Sequence, residues 1–205
     1  MPIPDSDAST RLQRQIAFIL EVDKLKTILR QSLKISDRKR ENDAEHSWHL
    51  ALMVLVLAEH ADAPDLDILK VLGMVIVHDL VEIDAGDTFV YDEAAMVGKL
   101  DRERAAADRI FGLLPEDQAT HLRALWDEFE ERRTPEARFA AALDRLQPVL
   151  LNIHTDGHAW KHHGIRHDQV LDRNRRMAEG SEAIWSFARA EIQKAVDRGD
   201  LRPAE

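Results

Sequence analysis

The chain has 205 residues, with 28 Lys and Arg against 38 Asp and Glu, a formal net charge of −10, and no cysteine. That length suits one domain with its own core, and the negative charge argues against nucleic acid or an anionic membrane surface as a partner. Absence of cysteine excludes disulfides, thiolate metal sites and thiol nucleophiles together, so a metal here must be held by His, Asp or Glu.

The N-terminal stretch "MPIPDSDAST" lacks the basic, apolar, small-residue order of a leader, and the longest apolar run, "LALMVLVLA" (50–58), falls well short of the roughly 20 residues of a membrane span. A soluble, cytoplasmic protein is expected. Apolar residues recur at three- and four-residue spacing almost throughout, which predicts an all-α fold, a single helical bundle of about six or seven helices. The first helix is predicted from about Ser9 to Leu33, with Leu12, Ile16, Ile19, Leu25, Ile28 and Leu29 turned inward and the basic loop "KISDRKR" ending it. Asn42 caps the second, with Glu45 in the capping-box position ahead of "HSWHLALMVLVLAEHA". A third spans Asp65 to Gly86 through "LDILKVLGMVIVHDLVEIDA", about twenty unbroken residues that favour a core helix over a buried strand. Asp92 caps a fourth ending near Leu114, Pro115 opens a fifth, and Thr134 with Pro135 starts a sixth, "EARFAAALDRLQPVLLNIH". After the loop "HTDGHAWKHHGIRHD" a last helix covers about 166–198, broken near Gly180. No repeat or Pro/Gly-rich linker divides the chain, so residues 1–205 read as one domain.

Inside these apolar helices stand ionisable groups that a hydrocarbon core does not tolerate alone. His46 opens a helix whose next two turns are nearly all apolar, "HDLVEI" (78–83) closes the most apolar helix, and Asp144 interrupts "FAAAL". An unpaired buried carboxylate costs on the order of several kcal/mol. One divalent cation would answer all these burials: His46, His78, Asp79 and Asp144 make a mixed nitrogen and oxygen site suited to Mn, Fe, Co, Ni, Zn or Mg, with positions open to water. His78 and Asp79 point roughly 100° apart on a helix, so they would grip the ion from two sides. Pro148 cannot bond the Asp144 carbonyl, which predicts a kink beside that ligand. Glu82, one turn beyond His78 and Asp79, suits an acid/base role beside a metal-activated water, and Asp87, just past Gly86, is within reach of the same cavity.

The lone His in "AEHSW", then "HD" with Glu three residues after the Asp and "GD" shortly beyond, then a distant Asp in "LDRLQP", resembles the HD-domain metal-dependent phosphohydrolases over roughly residues 20 to 170. The pattern is most similar to the small 5′-deoxynucleotidase-like branch, which is all-helical and commonly dimeric, and removes phosphate from nucleoside monophosphates. The resemblance implies His46, His78, Asp79 and Asp144 as metal ligands, Glu82 as acid/base or water-positioning carboxylate, and Asp87 as a carboxylate facing substrate and water. It also implies a phosphate-holding Arg near the end of the first helix, matched by Arg30 in "LKTILRQ"; Lys39 or Arg40 is expected to help it. In that branch a Trp follows the Arg and helps exclude a ribose 2′-hydroxyl; here Gln31 follows. A 5′-nucleotidase-like homodimer with one divalent metal ion per chain is therefore expected, acting on a small phosphomonoester.

Plainer readings apply to other residues. Glu45 is a capping residue rather than a ligand, "DRKR" is a solvated loop, and His60 and His121 lie on the surface. His49 is a packed or supporting residue, while Trp48, Trp126 and Phe129 belong to the core or a subunit interface. Gly157 is expected to break any helix that would align His154 and His158, leaving the 154–167 histidines in a partly exposed loop. Two rivals keep the fold and change the chemistry: a guanosine-tetraphosphate hydrolase, which shows Glu-Asp where Glu82 precedes Ile83, and a di-iron oxygenase, which needs further His ligands that only that loop offers. A third is a non-catalytic metal- or nucleotide-binding module.

Overall fold

The computed structural model describes residues 5–204, with side chains from residue 10 onward except those of 93 and 95; residues 1–4 of the leader reading lie outside it. Helix α1 (Asp5–Val22) and a 3-10 turn (Asp23–Thr27) lead into an antiparallel hairpin of β1 (Leu29–Leu33) and β2 (Arg40–Asn42). The helix predicted to Leu33 thus ends at Val22, and Arg30 and Gln31 stand on a strand. Bonds across the hairpin override local helix preference here: the Lys34 amide donates to the Lys39 carbonyl at 2.8 Å, and the Arg40 guanidinium donates to the carbonyls of Leu29 and Arg30, both at 2.5 Å. The inward stripe is also corrected. Leu12, Ile16 and Ile19 are about half exposed (58, 46 and 58%), while Phe18 and Leu25 are buried. α1 meets the body through polar bonds instead, Arg11 to Asp117, Gln15 to Gln118, and Arg14 to the carbonyls of residues 112–114.

Asn42 and Glu45 form the expected capping box at the start of α2 (Asp43–Leu57). α3 (Ile68–Val77), capped by Asp67, packs against it. The long third helix does not continue to Gly86. After His78, whose amide still bonds Met74, amides bond three residues back (Leu80 to Val77, Glu82 to Asp79, Ile83 to Leu80), and only a short α4 (Glu82–Ala85) follows. His78 and Asp79 therefore stand where α3 gives way to a tighter turn.

Next come α5 (Glu93–Met96) and α6 (Lys99–Phe111), separated at Gly98, so the predicted fourth helix is two. α7 (Glu116–Glu131) and α8 (Pro135–His154) follow, and α8 runs on through Pro148. Gly157, at φ 67°, opens α9 (His158–His162) inside the predicted loop. The last segment breaks as expected into α10 (His167–Asn174) and α11 (Glu182–Asp197) around Gly180, where an added Cβ would lie 2.4 Å from the Arg138 carbonyl oxygen. α3, α7, α11 and α2 all pack on α8, whose Phe139, Ala140 and Leu143 are fully buried. The architecture is all-α apart from the hairpin. No helix among the described residues is long and apolar enough to cross a membrane.

Candidate metal centre

Each candidate ligand is held by a different element. His46 sits in the first turn of α2, fully buried, and its Nδ1 lies 3.1 Å from Gln147 Oε1. An amide oxygen only accepts, so Nδ1 carries the proton and Nε2 presents its lone pair. At the end of α3, His78 Nδ1 donates to the Val75 carbonyl at 3.0 Å, which again commits Nδ1 and frees Nε2. His78 Nε2 is buried without a hydrogen-bond partner, although Asp79 Oδ1 is 3.1 Å away in poor alignment. Asp144, on α8, places Oδ1 3.2 Å from His46 Nε2 and 3.6 Å from His78 Nε2. One donor atom each from His46, His78 and Asp79 lies within 4.8 Å of the others. Two imidazole Nε2 atoms converging with two carboxylates is a donor set that fits a divalent cation.

Beside this group is an acidic cluster that sequence reasoning missed. Asp43, next to the cap of α2, is fully buried, and Glu41 on β2 is 3% exposed. Arg30 reaches over from β1: its Nη1 donates to Asp79 Oδ2 at 2.8 Å and to Asp43 Oδ1 at 3.1 Å, while Nε lies 3.9 Å from Glu41 Oε2. Oxygen atoms of Asp43, Asp79 and Glu82 lie within 4.8 Å of one another. The guanidinium therefore serves as the fixed cation of this second acidic group. Gln147 completes the frame, with Nε2 donating to Glu41 at 2.6 Å and lying 3.3 Å from His49 Nδ1. A polar Gln one turn after Asp144 in an apolar helix was the available signal for it; Glu41 and Asp43 gave none, since charges around a helix cap are ordinarily solvated.

The electrostatics separate the carboxylates into two kinds. Burial disfavours charge on Asp79, but His78 and Arg30 hold it well below the ordinary carboxylate range. Asp144 is held low against the same penalty by His46 and His78. Glu82 goes the other way: burial, then Asp79, Asp43 and Asp87, push it well above its usual value. Burial also raises Glu41 to about 7, and burial with Asp79 raises Asp43 to about 7. Burial and Arg30 push His46 down to about 4, whereas on His78 the burial penalty is outweighed by Asp79 and Asp144, which raise it to about 10. Two carboxylates held low beside one pushed up is an arrangement that can divide anchoring from proton transfer.

These groups form one end of a cavity of about 460 Å³. Arg30, Gln31, His78, Asp79, Glu82, Asp87 and Asp144 all line it. Lys39 and Arg40, expected to assist, do not: both are exposed, and Arg40 is spent on backbone carbonyls. His154, His158, His162 and His163 are exposed and apart from the cluster, so the ligands that a di-iron oxygenase needs are not supplied by them. His163 does reach the mouth, stacking near Phe89 (4.3 Å between centroids) and meeting Gln31 Oε1 at 3.3 Å. Phe129 packs on the His78 ring at 4.9 Å and Trp126 donates to the His78 carbonyl at 3.2 Å, both from the core, while Trp48 is 68% exposed.

The spacing and geometry agree with an independent match, since the HD domain family profile covers residues 22–185. The chain belongs to the HD domain family. This HD domain is 52% identical to the "predicted metal-dependent phosphohydrolase" from Magnetospirillum magnetotacticum MS-1, with a TM-score of 0.91 over 98% of this chain and 100% of that one. The Pyrococcus horikoshii protein PH0347, 24% identical, shares the fold at a TM-score of 0.61 over 89% of this chain and 98% of that one. Among curated relatives, the human 5′-deoxynucleotidase HDDC2 is 29% identical over 136 residues, 66% of this HD domain and 65% of that protein. The Xenopus laevis protein of the same name is 30% identical over 112 residues, 55% and 54% of the two chains. The match thus spans between about half and two thirds of these relatives' length.

Proposed function

We propose that this HD domain is a metal-dependent phosphohydrolase that removes phosphate from nucleoside 5′-monophosphates. The observation that carries the reading is the convergence of two imidazole Nε2 atoms, each with its Nδ1 committed elsewhere, with Asp79 and Asp144 at one end of an open cavity. The names of its relatives support it. His46, His78, Asp79 and Asp144 would hold the one divalent ion, which supplies Lewis acidity toward the phosphate and the attacking water. Arg30 holds phosphate oxygens with the donors that Asp79 and Asp43 leave unused; its Nε is buried without an acceptor. Asp87 orients the water from the cavity wall. Water adds to phosphorus, the bond to the 5′ oxygen breaks, and Glu82 gives that oxygen a proton and regains one from the attacking water, leaving a nucleoside and inorganic phosphate. The exposed apolar face of α2 (Trp48, Leu52, Leu55 and Val56) supports a homodimer in which a second copy covers it.

The test is phosphate release from ribo- and deoxyribonucleoside 5′-monophosphates across Mg, Mn, Co, Ni and Zn, with Asp79→Ala as control. Release that requires both a metal and Asp79 supports the proposal. Equal release by Asp79→Ala, or none with any metal, refutes it.

A further inference from the structure

The same cavity carries charge that hydrolysis of a single phosphate leaves unused. Arg132 at the C-terminus of α7, Arg145 on α8 and Arg173 on α10 all line it, with Tyr91 and Asn174 between them. None of the three pairs with a carboxylate among the described residues, in a chain of 38 acidic residues whose other arginines include many in ion pairs, such as Arg11, Arg109, Arg123 and Arg176. Arg145 donates to the Arg173 carbonyl, the Arg173 guanidinium meets the Met96 sulfur at 3.9 Å, and Arg132 lies 5.9 Å over the Phe129 ring. The Nε atoms of Arg145 and Arg173 are both buried with no acceptor. Three like charges brought together beside orphaned donors are unfavourable unless an anion joins them.

From this geometry we infer a second anion subsite: the substrate carries a second phosphate, held by Arg132, Arg145 and Arg173, in addition to the one hydrolysed at the metal centre. A guanidinium cluster suits a phosphate dianion better than a carboxylate, because the charges balance more nearly and several forked contacts form at once. A cavity of about 460 Å³ lies in the size range of small-ligand sites. The inference rests on the phosphohydrolase reading for the reaction, though not for the binding. One phosphate is released; the other stays on the product alcohol.

The test compares AMP with adenosine 3′,5′- and 2′,5′-bisphosphates in the metal-loaded chain, by phosphate release and by calorimetric binding, using wild type, Arg173→Met and the more accessible Arg132→Met. A bisphosphate is expected to exceed AMP at least tenfold in kcat/KM, and each variant should shrink that ratio at least tenfold, mainly through KM. AMP turned over as well as both bisphosphates overturns the subsite while leaving the phosphohydrolase reading intact. Equal losses on AMP and bisphosphate also overturn it, assigning these arginines to the reacting phosphate. With no turnover of any compound the phosphohydrolase reading fails. Binding then decides the subsite: tighter bisphosphate binding that Arg173→Met weakens tenfold upholds it, and its absence overturns it.

Discussion

Gln147→Leu isolates the residue that aims His46. Gln147 is fully buried, accepts from His46 Nδ1 at 3.1 Å and donates to Glu41 at 2.6 Å. Leu has similar bulk and neither function, so two buried polar groups lose their partners. Each such loss costs about 1–3 kcal/mol, which sets the expected destabilisation at about 2–6 kcal/mol, a large share of the roughly 5–15 kcal/mol of a typical domain. The freed imidazole can rotate or change tautomer, and loss of such an orienting partner weakens metal binding about 10- to 100-fold. Urea unfolding measures the first effect, and calorimetric titration of the metal-free chain with Mn or Zn measures the second, at a temperature where the variant remains folded. A folded variant that binds metal within twofold of wild type would refute the orienting role and leave Gln147 as packing alone.

Three further outcomes follow from the site and the surface. Glu82→Gln retains hydrogen bonding but not proton transfer, so turnover is expected to fall about 10²- to 10⁴-fold with metal and nucleotide binding kept; survival of turnover with loss of metal would make Glu82 a ligand. Because Gln31, tied to His163, stands where the deoxynucleotidase pattern has Trp, AMP and dAMP should be hydrolysed within roughly tenfold of each other, about 1.4 kcal/mol; a strong deoxy preference in kcat/KM would show that another group screens the 2′ position. Trp48→Glu places a charge on the exposed face of α2 and should convert a dimer to monomer in light scattering, whereas a monomeric wild type would remove the dimer altogether.

The parts of the site that could be read from the sequence are those that break an apolar pattern. His46, His78, Asp79, Glu82 and Asp144 are each conspicuous inside hydrophobic helices, and all of them, with Asp87, line or adjoin one cavity. What escaped were residues whose setting looks ordinary until the chain folds. Glu41 and Asp43 sit beside a helix cap, where carboxylates are normally solvated, and become buried because the hairpin folds over them and brings Arg30 with it. The hairpin itself lacks alternation or a turn signature and is held by bonds between its two strands, one of them from the Arg40 side chain. Likewise the break after Val77 has no glycine or proline to announce it. The stripe on α1 has true helical spacing, yet periodicity does not say what it faces, and here polar bonds to α7 turn much of it outward.

The most direct test of the central claim is elemental analysis of the purified chain after equilibration with the activating metal, comparing wild type with Asp79→Ala and Asp144→Ala. The account predicts about one ion per chain in wild type, following from a single converging set of four donors, and near-zero occupancy in both variants with their folds intact by circular dichroism. Full occupancy in a folded Asp79→Ala chain would contradict the ligand set and the chemistry built on it.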